Sequence, residues 1–86
     1  MTFAERFGRN LLAARSRAGI SQEELAFRAG LHRTAVGQLE RGERTARLDT
    51  FVKLINSVGS TPSELLEGLS WQPTEILTGW LSAFGE

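Results

Sequence analysis

The chain has 86 residues, no cysteine and one histidine, with ten basic and ten acidic residues. This length suits one compact domain, and the composition excludes a disulfide framework and a zinc site built from cysteines or several histidines. There is no run of about 18 apolar residues and no basic-then-apolar leader, so we expect a cytoplasmic protein without a membrane span.

The charges are unevenly distributed along the chain. Residues 1–60 carry all ten basic residues and six acids, whereas residues 61–86 carry four acids and no base. Nine of the ten bases are arginine, which makes bidentate contacts with phosphate and guanine. This distribution is expected if one face meets a polyanion, and two solvated faces of opposite sign are the alternative.

Two helices are predicted in the first 30 residues. Apolar residues at three- and four-residue steps predict the first over 3–17, and Gly19 ends it. Its inward residues are Phe3, Phe7, Leu11 and Ala14. The second is predicted over 22–29, because Ser21 and Glu24 have the spacing of a capping box.

Three further helices are predicted in the next 40 residues. The third covers about 32–41, and the fourth begins at an N-cap on Asp49 and ends near residue 58. The fifth begins with Pro62, since proline is favoured at the first helical position, and closes at Gly68. No segment up to this point has the alternation of a strand, so the predicted fold class is all-α with five helices.

The chain after Gly68 is predicted to be a separate unit, so the domains are 1–68 and the extension 69–86. Pro73 begins an added C-terminal amphipathic helix, whose apolar residues share about 140° of arc. The extension's large apolar residues are Trp71, Ile76, Leu77, Trp80, Leu81 and Phe84. Three interpretations stay open: the extension docks on its own core, forms a homodimer interface, or contacts a different protein. Its aromatic content favours the dimer interface.

The most informative pattern lies in the second and third helices and the turn between them. Ala26 is small enough to let the third helix approach, and Gly30 provides a turn conformation that other residues disfavour. Val36 and Leu39 are then placed in the wedge between the two helices. This arrangement is typical of a helix-turn-helix.

Three segments carry a family resemblance: residues 19–26 (GISQEELA), 29–31 (AGL) and 38–42 (QLERG). They resemble the Cro/phage-repressor (XRE-type) helix-turn-helix family, and the resemblance covers residues 5–68. It implies a five-helix domain that binds double-stranded DNA, usually as a homodimer, with the third helix in the major groove.

The resemblance also implies the residues that meet DNA. They are Ser21, Gln22, His32, Arg33, Thr34, Gly37, Gln38, Arg41, Arg44 and Arg47. Helical geometry independently turns positions 33, 34, 37, 38 and 41 outward if Val36 and Leu39 face inward. Arg33 suits guanine and Gln38 suits adenine, whereas the arginines from position 41 onward suit the phosphate backbone. Gly37 is small, which would let the helix seat deeply in the groove.

The resemblance further implies a buried structural ion pair between Arg15 and Glu40. Their separation in the chain places them on the first and third helices. Glu40 then belongs to the packing of the domain, not to the DNA-binding surface, where an acid would be costly.

The sequence thus predicts a bacterial or phage DNA-binding transcriptional regulator, a repressor or autoregulator that binds an inverted repeat as a homodimer and associates with the nucleoid. The alternative is an antitoxin-like module that binds a partner protein, and DNA secondarily. No cofactor or metal is expected. An enzyme is not expected either, because metal-ligand spacings, nucleophile–base pairs and phosphate-cradling glycine loops are missing.

Overall fold

The computed structural model describes residues 1–71, which form five α-helices and no strand. The helices are α1 (Phe3–Ala18), α2 (Gln22–Ala29), α3 (Arg33–Glu40), α4 (Leu48–Val58) and α5 (Pro62–Leu65). The all-α prediction is confirmed, although α5 ends sooner than predicted. The predicted sixth helix, with Ile76, Leu77, Trp80, Leu81 and Phe84, lies outside the described residues. None of the helices in residues 1–71 is long and apolar enough to cross a membrane.

The predicted capping box of α2 forms only in part, and a complete one lies at the start of α1. At Ser21 only half of the capping box forms: its hydroxyl accepts from the Glu24 backbone N–H at 3.0 Å. The Glu24 carboxylate instead accepts from Arg28 at 2.9 Å, one helical turn away. The complete capping box lies on α1, where Thr2 and Glu5 exchange bonds of 3.1 and 2.8 Å. The hydrogen bond that the Thr2 backbone N–H donates to the Glu5 carboxylate lowers the pKa of Glu5.

The predicted N-cap on Asp49 is wrong. Arg47 occupies the N-cap position of α4 without a side-chain cap, and Leu48 is the first helical residue. Asp49 therefore lies inside the first turn, where a carboxylate still interacts favourably with the positive end of the helix. Its Oδ1 accepts from the Thr50 backbone N–H at 2.9 Å.

Every helix contributes at least one fully buried side chain to a single core. These side chains are Leu11, Leu25, Val36, Leu39, Leu54 and Leu65. Each stabilises the fold by about 1.5–3 kcal/mol relative to an exposed position. The prediction that Phe3 faces inward is wrong: it is 52% exposed, whereas Phe7, one turn later, is 4% exposed. Phe3 is the first residue of α1 and lies beyond the edge of the core.

The backbones of α1 and α3 approach closely at Gly8, which is buried. A Cβ at this position would overlap the backbone carbonyl oxygens of Leu39 and Glu40. Those atoms belong to the backbone of the last turn of α3, so they cannot move aside as the end of a flexible side chain could. The missing side chain of Gly8 therefore sets the distance between α1 and α3.

We expect Gly8→Ala to lower the free energy of unfolding by about 1–3 kcal/mol, the usual cost of overpacking. The sign of this change distinguishes overpacking from helix propensity. Propensity alone would make alanine more stable than glycine inside a helix by about 1 kcal/mol. Urea unfolding of both proteins measures the difference.

The matched control is Ala13→Gly at an exposed position of the same helix, which should cost about 1 kcal/mol through helix propensity alone. A stabilised Gly8→Ala protein would show that α1 and α3 are not in close contact at this glycine.

Candidate nucleic-acid interface

The turn that separates α2 from α3 is closed by backbone hydrogen bonds around Gly30. Gly30 has a φ of 67°, a left-handed conformation that other residues adopt only with strain. Beyond it, the Leu31 N–H donates to the Ala26 carbonyl oxygen at 2.8 Å. Ala26 is itself 4% exposed within the core. The glycine and the alanine thus fix how α3 leaves α2, as the sequence predicts.

His32 is the N-cap of α3. Its Nδ1 accepts from the Thr34 backbone N–H at 3.1 Å. An accepting Nδ1 requires that the neutral ring carries its proton on Nε2. This contact places the His32 ring at the start of α3, and the residue is exposed.

The outward face of α3 contains the predicted base-contacting residues. Arg33 and Thr34 are exposed and Gln38 is half-buried, whereas Val36 and Leu39 are 0% and 2% exposed. The inward and outward sides therefore follow the helical period.

Two of these outward side chains bind other side chains of the protein. Arg33 Nη1 donates to Glu23 Oε1 of α2 at 2.7 Å. Gln38 Oε1 accepts from Arg44 Nη1 at 3.4 Å.

Gly37 does not face open solvent as expected, because it is buried. The guanidinium of Arg41, one turn later, lies so close that a Cβ at Gly37 would be 2.9 Å from Arg41 Nη1. The absence of a side chain at Gly37 leaves room for the flexible guanidinium of Arg41. The space above Gly37 opens only when that end moves away.

Arg41 and Arg47, on the C-terminal side of α3, are exposed and lie close to acidic side chains. Arg41 Nε donates to Glu43 Oε2 at 2.6 Å; this bond raises the pKa of Arg41 and lowers that of Glu43. Arg47 Nε lies 3.5 Å from Asp49 Oδ1, with the arginine side chain 79% exposed. Solvent-exposed pairs of this kind contribute little to stability, so these arginines can exchange partners readily.

A hydrogen-bonded network inside the domain holds Glu40, the last residue of α3. The Arg15 guanidinium donates through Nε and Nη2 to the two carboxylate oxygens of Glu40, the second contact measuring 3.1 Å. Their side chains are 16% and 5% exposed. The hydrogen bond to Glu40 raises the pKa of Arg15. Arg15 also donates to the Ile20 carbonyl oxygen at 2.9 Å, so the network joins α1, α3 and the segment before α2.

Gln22, the first residue of α2, belongs to the same network. Its Nε2 donates to Glu40 Oε1 at 2.9 Å. The family resemblance implies that Gln22 meets DNA, beside Ser21. In this structure one amide contact of Gln22 is made within the protein, and that contact orients the side chain at the start of α2.

Sequence analysis missed two residues that position this surface. Glu23 binds Arg33 across the helix-turn-helix, although the two residues are ten positions apart. Asn10 donates from Nδ2 to the carbonyl oxygens of Leu65 and Glu67 at 2.9 and 2.8 Å, which ties the end of α5 to α1. Neither contact has a local sequence signal, because each depends on how two helices cross. Trp71, the one residue of the extension's predicted dimer interface that lies within residues 1–71, is 69% exposed.

Comparison with known proteins agrees with this geometry. A helix-turn-helix family model matches residues 11–65, which include α2, its turn and α3. The control protein C.BamHI of Bacillus amyloliquefaciens is 40% identical over 62 residues, 71% of this chain and 76% of that protein. The control protein C.SmaI of Serratia marcescens is 36% identical over 66 residues, 77% and 79% of the two chains.

A solved structure is similar in both sequence and fold. It is the restriction-modification controller protein C.AhdI from Aeromonas hydrophila, which superimposes with a TM-score of 0.69 and 42% identity. The similarity covers 72% of this chain and 94% of C.AhdI.

We expect Glu40→Gln to lower the free energy of unfolding by about 3 kcal/mol, because Arg15 would keep a largely buried charge without a counter-ion. Glu24→Gln is the control: its pair with Arg28 is nearly half exposed on both sides and should contribute at most about 1 kcal/mol. Urea unfolding checks both values. Equal losses in the two variants would contradict a structural role for the Arg15–Glu40 pair.

Proposed function

Because this chain belongs to the XRE-type helix-turn-helix family of DNA-binding transcriptional regulators, we propose that it reads duplex DNA sequence-specifically through α3 in the major groove. One observation carries the proposal. The outward side of α3 presents Arg33 and Thr34, while its inward side is held by the core and by Glu40. A helix anchored in this way can present its side chains to base edges in a fixed orientation.

The outward side chains are divided into base contacts and backbone contacts. Arg33 can bind O6 and N7 of guanine, and Gln38 can bind N6 and N7 of adenine, each contact discriminating by about 1–3 kcal/mol. Thr34 contacts a thymine methyl group or a phosphate.

The remaining residues of the proposed site contact phosphates on either side of α3. They are Ser21, Gln22, His32, Arg41, Arg44 and Arg47. Such contacts position the helix without reading sequence. When Arg41 turns towards a phosphate, the surface over Gly37 becomes free for close approach to the groove.

The relatives suggest the genes that this regulator controls. C.BamHI and C.SmaI are control proteins, and C.AhdI is a restriction-modification controller. We therefore infer that this chain controls genes of a restriction-modification system, as a repressor or autoregulator. The support is sequence identity of 36–42% over 71–77% of this chain.

Selection from a random-sequence pool of duplex DNA at physiological salt should enrich an inverted repeat with half-sites about 34 Å apart. Arg33→Ala should relax the preference at one base position of each half-site, whereas Arg41→Ala should weaken all sequences alike. Sequencing of the bound pool checks both results. If no sequence is enriched, DNA reading is excluded and a module that binds a partner protein becomes the better hypothesis.

The proposal includes a homodimer, and the described residues contain an exposed apolar face suited to one. Phe3, Leu48, Val52 and Leu66 are 52%, 78%, 48% and 43% exposed. Three of them line a groove of about 320 Å³ at the junction of α1, α4 and α5. This apolar face contains no residue of α2 or α3, so a second copy bound there would leave the helix-turn-helix accessible. We place the extension, with Trp71, Ile76, Leu77, Trp80, Leu81 and Phe84, in the same proposed interface.

We expect Leu48→Asp to shift the protein to monomer, because dimerisation would bury the new carboxylate in the apolar face. The substitution suits the fold, since an acid at the first position of α4 is favourable. Sedimentation velocity measures the change. Phe27→Asp is the matched control: Phe27 is 83% exposed on α2, outside the apolar face, and the variant should stay dimeric.

A chain that ends at Leu69, without residues 70–86, tests the contribution of the extension. It should also dissociate and bind its operator more weakly. A dimer that survives both the truncation and Leu48→Asp would contradict the proposed interface.

A further inference from the structure

The contact between Glu23 and Arg33 spans the two helices of the helix-turn-helix. Glu23 is the second residue of α2 and Arg33 is the first residue of α3, and their side chains meet at 2.7 Å over the cleft between the helices. Phe27, Leu31 and His32 line the same cleft. The contact therefore lies at the end of α3 that carries the proposed guanine-binding residue.

Stability does not account for this contact. The Glu23 and Arg33 side chains are 70% and 63% exposed, and ion pairs this exposed contribute little to stability. A carboxylate beside the proposed groove-facing side of α3 also repels DNA phosphates. Glu23 thus stabilises the fold little and opposes general attraction to DNA, so its effect has to come through Arg33.

The geometry leaves Arg33 free to bind a base while Glu23 holds it. Glu23 accepts only from Nη1, and the edge formed by Nε and Nη2 still has two parallel N–H donors. Two such donors are what the O6 and N7 acceptors of guanine require. An untethered arginine samples many rotamers and loses that freedom on binding, whereas a tethered one has lost part of it beforehand.

We propose that Glu23 is a positioning residue that sets the base preference of Arg33: it holds Nη1 so that the opposite edge of the guanidinium faces guanine. This inference rests on the proposed function. The same carboxylate disfavours contact between Arg33 and phosphates, because it occupies the cation and repels the anion. Both effects increase the ratio of specific to non-specific binding.

The test uses the full-length protein and two duplexes: the selected operator, and the same operator with the base that depends on Arg33 replaced in both half-sites. The measured quantity is the dissociation constant of the replaced duplex divided by that of the operator. Glu23→Gln should lower this ratio by roughly two- to ten-fold, the factor expected when one side chain is no longer ordered in advance. Affinity for the replaced duplex should rise at the same time. The melting temperature should stay unchanged.

Two controls separate positioning from charge. Glu24→Gln removes the neighbouring carboxylate, which pairs with Arg28 and not with Arg33, and should leave the ratio unchanged. Glu23→Gln in an Arg33→Ala background should also leave the ratio unchanged, because no guanidinium remains to be positioned.

Several outcomes would overturn the inference. If Glu23→Gln strengthens binding to both duplexes equally, Glu23 acts as a repulsive charge alone. If Glu24→Gln lowers the ratio as much, the effect is general electrostatics. If the random pool yields an enriched sequence but Arg33→Ala changes no base preference, Arg33 does not contact a base, and Glu23 cannot act by positioning it. Failure of the proposed function is recognised separately, since the random pool then yields no enriched sequence.

Discussion

The position of α3 depends on the hydrogen-bonded contact between Arg15 and Glu40. A carboxylate with a 5% exposed side chain is costly unless its oxygens accept hydrogen bonds, and here Arg15 and Gln22 supply three. Within residues 1–71 no buried side-chain nitrogen or oxygen lacks a partner. The network therefore ties the last turn of α3 to α1 and to the first turn of α2. Gly8 acts on the same turn of α3 through backbone contact, so distance and orientation are set together.

This arrangement explains how a chain of zero net charge is compatible with a DNA-binding family. Five arginines and four glutamates lie between Ser21 and Arg47. One glutamate, Glu40, is turned away from the surface and neutralised inside the domain, while Glu23 and Glu43 pair with arginines of the proposed interface. DNA phosphates would displace the exposed Glu43 pair and take over Arg41, whereas Glu23 would keep its contact with Arg33 while Arg33 binds a base. A surface balanced in this way limits non-specific attraction, which rises with each phosphate neutralised.

The same balance gives the proposed dimer a physical reason. A single helix-turn-helix with partly neutralised arginines makes few uncompensated phosphate contacts, and two copies on one operator add their contacts without new chemistry. The apolar face around Leu48 lies on α1, α4 and α5, and the proposed reading residues lie on α2, α3 and the loop that follows. Dimerisation and DNA reading would then use separate parts of one small domain, connected through α1.

The sequence alone determined the five helices, the turn at Gly30 and the division of α3 into an inward side with Val36 and an outward side with Arg33. These features follow from local rules, because helical period, left-handed glycine turns and hydrogen-bonding caps involve residues a few positions apart. Even local rules compete: Glu24 had the spacing of a capping box, yet its carboxylate binds Arg28.

Tertiary structure alone decided what lies between helices. Gly8 has no sequence signal, since the atoms that exclude a side chain there belong to residues 39 and 40. Glu23 meets Arg33 only because Gly30 turns α3 back across α2. Gly37 is buried because Arg41 folds over it, although its helical position faces outward. Local periodicity assigns each residue to a side of its own helix, but the distance and angle at which two helices pack decide which side chains meet.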